Sequence, residues 1–497
     1  MDSTSNCTTW SASPRDPQFL CATLWLSLGL LLPAHAAEQK QGSTLHQIHR
    51  IVVIYGENRS FDNLYGLFPG ARGIEDALAH YIPQTDLDGR ELAMLPPVWA
   101  KANQVDTNYP ETMPNLPFRL DTPPVNNALD VATRDLVHRF YQNQEQINGG
   151  RNDRFAAISD AGGLVMGHYD GSPLQLWTLA KQYTLADNFF MGAFGGSFLN
   201  HFWLVCACTP VFKNAPDSLR AKEAADGKLL REINSPKSAM DGPVRLEDGA
   251  VTPDGYAVNT LQPPYQPSAI PPAKGSDPLL ADPTRYPLPP QTQKTIGDTL
   301  SVKGITWAWY AGGWIKALAD RSLIYNNGPV NFQPHHQPFN YFARFAPGTR
   351  ERALHLKDGE EFLSAIEGGN LPQVSFYKPQ GDLNEHPGYT DVLSGDAHIA
   401  GLIRKIQHSP LWKDILIIVT YDENGGFWDH VPPPRGDRWG PGNRIPTLII
   451  SRFAKTGFVD HSRYDTTSIL KLITRRFDLE PLPGVRDNVG DLSDAIE

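Results

Sequence analysis

The sequence predicts an α/β layered fold, with a central, mostly parallel sheet flanked by helices and interrupted by proline-rich insertions. Three observations carry this. Several short apolar runs rich in β-branched and aromatic residues are bounded by polar or glycine-rich turns, the pattern of strands buried on both faces. Helical patterns lie between them, and such alternation packs helices against a parallel sheet. Two further segments fit neither pattern because proline removes backbone donors.

Taken in order, the strands are expected at Arg50 to Tyr55, Ile305 to Trp309, Gln373 to Tyr377, Ile415 to Tyr421 and Pro446 to Ser451. Helices are expected over Leu174 to Gln182, Phe198 to Cys206, Asp396 to Gln407 and Thr467 to Phe477. The segments near 87–127 and 213–293 read as insertions or lids, with plain surface loop as the alternative. The second contains Pro263-Pro264, Pro271-Pro272 and Pro289-Pro290. No internal repeat is present, so residues 37–497 are expected to form one catalytic domain with insertions.

Residues 1–36 read as a secretory signal peptide. Phe19 to Leu32 is apolar but short for a bilayer, and Ala34-His35-Ala36 supplies small residues for cleavage. The preceding stretch is long and carries only Arg15 as a positive charge, so a start downstream of Met1 and an uncleaved anchor are the alternatives. No later segment is apolar and long enough for a membrane helix, so no stable membrane insertion is expected after cleavage. The expected location is periplasmic or extracellular, in a bacterium. Cleavage removes Cys7 and Cys21 and leaves Cys206 and Cys208, for which a tight bridge and two buried thiols both fit. A net charge of −10 with no run of Lys or Arg excludes a nucleic-acid groove.

The chemistry is concentrated where strands end. Ile51 to Tyr55 runs into Gly56-Glu57-Asn58, and Ile415 to Tyr421 runs into Asp422-Glu423-Asn424-Gly425-Gly426. Ligands of open parallel sheets collect outside the carboxyl ends of strands, so both clusters are expected to face one crevice. Three carboxylates and an amide oxygen there require a cation, and oxygen-rich ligation suits a hard divalent ion. The alternative is that Asp422 to Gly425 only turns the chain and Glu57 only caps a helix.

Gly195-Gly196-Ser197 precedes an apolar helix, which puts the Ser197 hydroxyl at or before its first turn. Free N–H groups there bind phosphate oxygens, glycines permit close approach, and a metal in the same crevice can activate the hydroxyl. An ordinary serine N-cap is the competing explanation. His335 and His336 follow the second expected strand and His386 the third, while His138 lies in a separate segment. Each could donate a proton to a leaving alkoxide, and each alone could equally be a core or surface imidazole.

These stretches resemble a known family. Gly56-Glu57-Asn58-Arg59-Ser60-Phe61-Asp62-Asn63-Leu64-Tyr65-Gly66, Gly195 to His201 and Thr420 to Gly426 are similar to motifs of bacterial phosphoesterases that group respiratory-burst-inhibiting acid phosphatases with phospholipases C. Arg444 to Ser451 and Tyr464 to Ser468 resemble its C-terminal block, and the proline-rich insertions match poorly. The resemblance implies an alkaline-phosphatase-like fold and a phosphorylated hydroxyl intermediate. It implies that Glu57, Asn58, Ser197, Asp422 and Glu423 hold metal, with Ser197 as nucleophile. It further implies that His138, His336 and His386 line the phosphate site, with His335 beside them. One divalent metal ion is expected, since no second, histidine-rich metal set is evident; calcium, magnesium, manganese and zinc are all compatible.

Family phospholipases C typically carry threonine at the nucleophile position, so Ser197 favours the acid phosphatase branch, with small phosphate esters as substrates and an acidic optimum. The alternative is a phospholipase C acting on phospholipid headgroups. A third reading, a periplasmic protein that captures phosphate or metal, uses the same ligands without a nucleophile.

Overall fold

The computed structural model describes residues 44–326 and 328–497, so the expected signal peptide and its cleavage site lie outside the described residues. The core is one eight-stranded sheet. In chain order its strands are β1 (Arg50–Gly56), β2 (Thr184–Ala186), β3 (Trp307–Ala311), β4 (Leu356–Asp358), β5 (Val374–Lys378), β6 (Ile415–Tyr421), β7 (Thr447–Ser451) and β8 (Phe458–Asp460). Their order across the sheet is β4-β3-β5-β1-β6-β7-β2-β8. All five strands expected from the sequence are present, and β6 has the expected bounds. β3 and β5 begin and end one or two residues later than expected, which brings Lys378 into the sheet.

β1 pairs in parallel with both β5 and β6, and β3 in parallel with β4 and β5. One strand departs from the parallel expectation. β7 runs antiparallel to β6 and to β2. The reason lies in the connection: residues 422–446 contain no helix, so the chain re-enters the sheet from the end at which β6 left it. A buried apolar run looks the same in either direction. The short strands β2, β4 and β8 lie toward the two edges and were not anticipated.

The main helices are α1 (Gln175–Gln182), α2 (Ser197–Cys206), α3 (Val392–Gln407) and α4 (Thr466–Phe477). α3 begins a turn earlier than expected, where the Asp391 side chain caps it by accepting from Ser394 N–H. Among the described residues, no helix is long and apolar enough to cross a membrane. β1 and β6 are almost wholly inaccessible, so side chains at their carboxyl ends are delivered from a rigid, water-excluded platform. The second proline-dense segment holds short 3₁₀ turns and isolated β-bridges but no α-helix or strand. It packs on the first through Asp86, which accepts hydrogen bonds from Ser238 and from the amide of Ala239. Cys206 and Cys208 are joined in a disulfide just after α2.

Candidate active site

The two strand ends meet as expected. Glu57, Asn58, Asp422 and Glu423 all have zero exposure. Asn58 adopts a left-handed conformation (φ 59°), which asparagine tolerates better than most residues. Its amide donates to Asp422 Oδ1 at 3.1 Å, tying β1 to β6.

Ser197 is the first residue of α2, after the N-cap Gly196. Its hydroxyl lies 3.2 Å from Asn58 Oδ1 and 3.4 Å from Glu423 Oε1. The turn before it is fixed by Asn200, whose amide donates to the carbonyls of Ala193 and Gly196 and accepts from Ala193 N–H. Gly195 sits at φ +87°, and a Cβ on Gly196 would fall 2.7 Å from the His138 carbonyl oxygen. Glycine therefore lets the His138 segment close over the serine.

Ser197, His138, His335, His386 and Tyr389 line one cavity of about 640 Å³. Asn58 Nδ2 donates to His386 Nε2 at 2.9 Å and lies 3.4 Å from His138 Nε2. The His138 ring faces Glu423 Oε1 at 3.7 Å, and its Nδ1 is engaged by the Leu136 carbonyl. Burial lowers the basicity of His138, but Glu423 and Asp135 outweigh it and push its pKa up to about 9. His386 goes the other way, lowered by burial. His336 departs from its expected place, since it does not line the cavity but stands behind it with its Nε2 against Glu57 Oε1. His335 does line the cavity, edge-on to His336.

Four residues near the centre were not singled out from sequence. Lys378 is fully buried at the end of β5, with Nζ 2.7 Å from Glu57 Oε1 and 3.6 Å from Asp422 Oδ2. His201, one turn along α2, stacks on His336 at 5.5 Å. Tyr389 donates to Glu57 Oε2 at 3.3 Å, and Asp135 sits 3.5 Å from His138. A lysine immediately after a buried run was the available signal for Lys378. For His201 it was the position one turn beyond Ser197.

The charges are unbalanced. Burial pushes Asp422 up to about 6, with Lys378 opposing, and raises Glu423 well above the usual carboxylate range, with His138 opposing. Burial would also raise Glu57, but His336 and Lys378 hold it well below that range. Burial brings His336 itself down to about 4, against the pull of Glu57. Glu57 Oε1 and Asp422 Oδ2 are buried without an aligned hydrogen bond. Crowded carboxylates with unspent acceptors fit a divalent cation. Glu57, His201 and His336 also place their ligand atoms within 4.8 Å of one another, a histidine-bearing set assembled from distant parts of the chain that the sequence did not reveal.

A serine hydroxyl set against carboxylates and imidazoles beside the carboxyl ends of parallel strands is an arrangement that suits ester cleavage. The Phosphoesterase family model matches residues 48–480, and the chain belongs to that family. It is similar to "Phospholipase C B" of Mycobacterium tuberculosis (strain CDC 1551 / Oshkosh), 24% identical over 90% of this chain and 77% of that protein. It is also similar to "Non-hemolytic phospholipase C" of Pseudomonas aeruginosa, 23% identical over 95% of this chain and 60% of that one. A solved structure from Vibrio parahaemolyticus, described as a protein in the alkaline phosphatase superfamily, covers 76% of this chain and 75% of its own at 11% identity and a TM-score of 0.32. The protein is thus a phosphoester-hydrolysing enzyme, and the reading as a non-catalytic binding protein is set aside.

Proposed function

We propose that this enzyme is a metal-dependent phosphatase that cleaves phosphate monoesters through a phosphoserine on Ser197. The observation that carries this is the Ser197 hydroxyl at the first turn of α2, within 3.4 Å of both Asn58 and Glu423 and open to a cavity lined by His138 and His386. Glu57, Asn58, Ser197, Asp422 and Glu423 would hold one divalent ion, for which calcium, magnesium, manganese and zinc all fit the donors. When bound, such an ion favours the serine alkoxide and offsets phosphoryl charge.

The chain's own groups do the rest. Ser197 passes its hydroxyl proton to the Glu423 carboxylate 3.4 Å away as Oγ attacks phosphorus, forming the Oγ–P bond while the bond to the ester oxygen breaks. Free N–H groups at the start of α2 receive phosphoryl oxygens. The His138 imidazole, oriented by its Nδ1 contact to the Leu136 carbonyl, presents Nε2 to the cavity and protonates the departing alkoxide. His386 and Asn58 hold each other in place beside it, and His335 closes the far wall. Water then hydrolyses the phosphoserine. His336 orients Glu57 from behind. Residues 37–497 act as a single catalytic unit in this reading, and the preceding segment directs export to the periplasm or medium.

Serine at the nucleophile position supports small monoesters; the charged lining of the cavity is balanced, with Arg134 and Arg139 against Asp135 and Asp160. A second reading, phospholipase C activity, is favoured by the printed names of the relatives. The separating experiment assays the mature chain on p-nitrophenyl phosphate, bis-p-nitrophenyl phosphate and phosphatidylcholine, with chelator and metal add-back. Chelator-sensitive monoester cleavage is expected. Turnover of phosphatidylcholine without the monoester would transfer the reading to phospholipase C.

A further inference from the structure

Lys378 is an unusual residue to end a central strand. Its ammonium has no exposure and is held by Glu57 Oε1 at 2.7 Å, Asp422 Oδ2 at 3.6 Å and the carbonyl of Gly56 at 3.1 Å, with the Tyr55 ring centroid 5.0 Å away. A buried charge persists only when paired. Here it is paired to two carboxylates already assigned to metal.

The surroundings are those of a cation site with four donors. Glu57 Oε1, Asp422 Oδ2, His201 Nε2 and His336 Nε2 are all buried without an aligned hydrogen bond. The ligand atoms of Glu57, His201 and His336 lie within 4.8 Å of one another, and the His201 ring approaches Asp422 Oδ2 through its Nδ1, at 3.9 Å. His201 Nδ1 donates to the Ser197 carbonyl at 2.7 Å, which places the lone pair on Nε2. Two imidazole nitrogens and two carboxylate oxygens form a set that suits a borderline divalent ion such as zinc or manganese.

We propose that the Lys378 ammonium stands in this set in place of a second divalent cation, so that the centre pairs one exchangeable metal ion with one covalently tethered monocation. This rests on the metal site proposed above. Lys378 is then a positioning residue: it neutralises Glu57 and Asp422 and, by like-charge repulsion, keeps a second ion out of the His201–His336 side. Removing it opens a second metal position on Glu57, Asp422, His201 and His336.

The test is metal stoichiometry. Full-length protein is stripped with chelator and equilibrated with Mn²⁺; bound metal is then counted by elemental analysis and examined by electron paramagnetic resonance. Wild type and Lys378→Arg are expected to bind one equivalent. Lys378→Met is expected to bind two, with a spin-coupled pair signal, and Lys378→Met combined with His336→Ala to return to one. A merely structural lysine would not raise the count. Two equivalents in wild type, or one in folded Lys378→Met, would overturn the proposal and leave the first metal site standing. No Mn²⁺, Ca²⁺, Mg²⁺ or Zn²⁺ bound by wild type would instead refute the metal site itself and this proposal with it. If Lys378→Met is unfolded after chelation, recovery of its native circular dichroism with two Mn²⁺ supports the substitution of metal for ammonium, and failure to recover at any Mn²⁺ concentration counts against it.

Discussion

Two buried clusters in this enzyme are built from the same two stretches of chain, and they behave in opposite ways. One comprises Glu57, Asp422 and Glu423 with His336 and Lys378. The other, a few residues further along each stretch, comprises Asp62, Asp429 and His430 with Arg444. Both gather carboxylates, an imidazole and one strong cation, and three metal-ligand atoms lie within 4.8 Å at each, those of Glu57 and His336 with His201 at the first and those of Asp62, Asp429 and His430 at the second. In the second cluster everything is spent. Arg444 donates to Asp429 Oδ1 at 2.8 Å, to Asp62 Oδ1 at 3.0 Å and to the carbonyls of Arg72 and Asp187. Asp62 Oδ2 accepts from both the amide and the ring of His430, and Asp429 Oδ2 accepts from the Asp62 amide. None of these four side chains has a buried atom without a hydrogen bond, whereas Glu57 Oε1, Asp422 Oδ2 and His336 Nε2 make ion-pair contacts but no aligned hydrogen bond. Burial of acid groups is therefore not what marks a site; unspent hydrogen-bonding capacity is.

The contrast predicts that breaking the open cluster costs chemistry and breaking the closed one costs the fold. The largest effect is expected for Ser197→Ala, which should lower turnover of p-nitrophenyl phosphate by about 10⁴-fold or more. Its urea unfolding midpoint should stay near that of wild type, with bound metal retained. Turnover close to wild type would remove Ser197 from the reaction. Next is Arg444→Met, which strands Asp62 and Asp429 without their cation and should cost about 3–5 kcal/mol of unfolding free energy. A stable Arg444→Met protein would show that the closed network is not structural. His138→Gln should follow, with kcat down by about 10²-fold while metal stoichiometry and melting temperature are unchanged.

How far each cluster could be read from sequence follows from how far apart its members lie. The ends of β1 and β6 were legible because a continuous apolar run stops at Glu57 and again at Asp422, and the sheet rule then brings them together. Lys378 was missed because β5 was ended at Tyr377, and a lysine next to a turn defaults to the surface. His201 lay inside a motif already noticed, but helix position alone does not say which side chains from β1 and the 334–336 turn it will face. Arg444 closes the other cluster from a loop remote in sequence from Asp62, so nothing local distinguishes Asp62, which is spent, from Glu57, which is not. The reversed direction of β7 escaped for the reason given above: it depends on a connection, not on the strand.

Glu385 stands between the two cases and yields the smallest expected effect. It is fully buried at φ +76°, and its backbone carbonyl accepts from Arg59, the residue after Asn58. Its Oε2 accepts from the Tyr421 hydroxyl at 2.8 Å, while Oε1 has no hydrogen-bond partner. No cation reaches its carboxyl group as Arg444 reaches Asp62. Burial, reinforced by Asp396, therefore raises its pKa from the ordinary 4.5 to about 8. The folded state holds a proton that the unfolded chain gives up, so the stability from Glu385 is fully present below about pH 4.5 and is lost as pH rises toward 8. Glutamine keeps the shape and the acceptor for Tyr421 but has no proton to lose. Calorimetric melting of wild type and Glu385→Gln at pH 5 and pH 8.5 should thus give similar melting temperatures at the lower pH and a smaller fall for the variant at the higher. Equal falls in the two proteins would mean that Glu385 is ionised in the folded state, and that a partner-poor carboxylate can be buried beside this site without a proton or a cation.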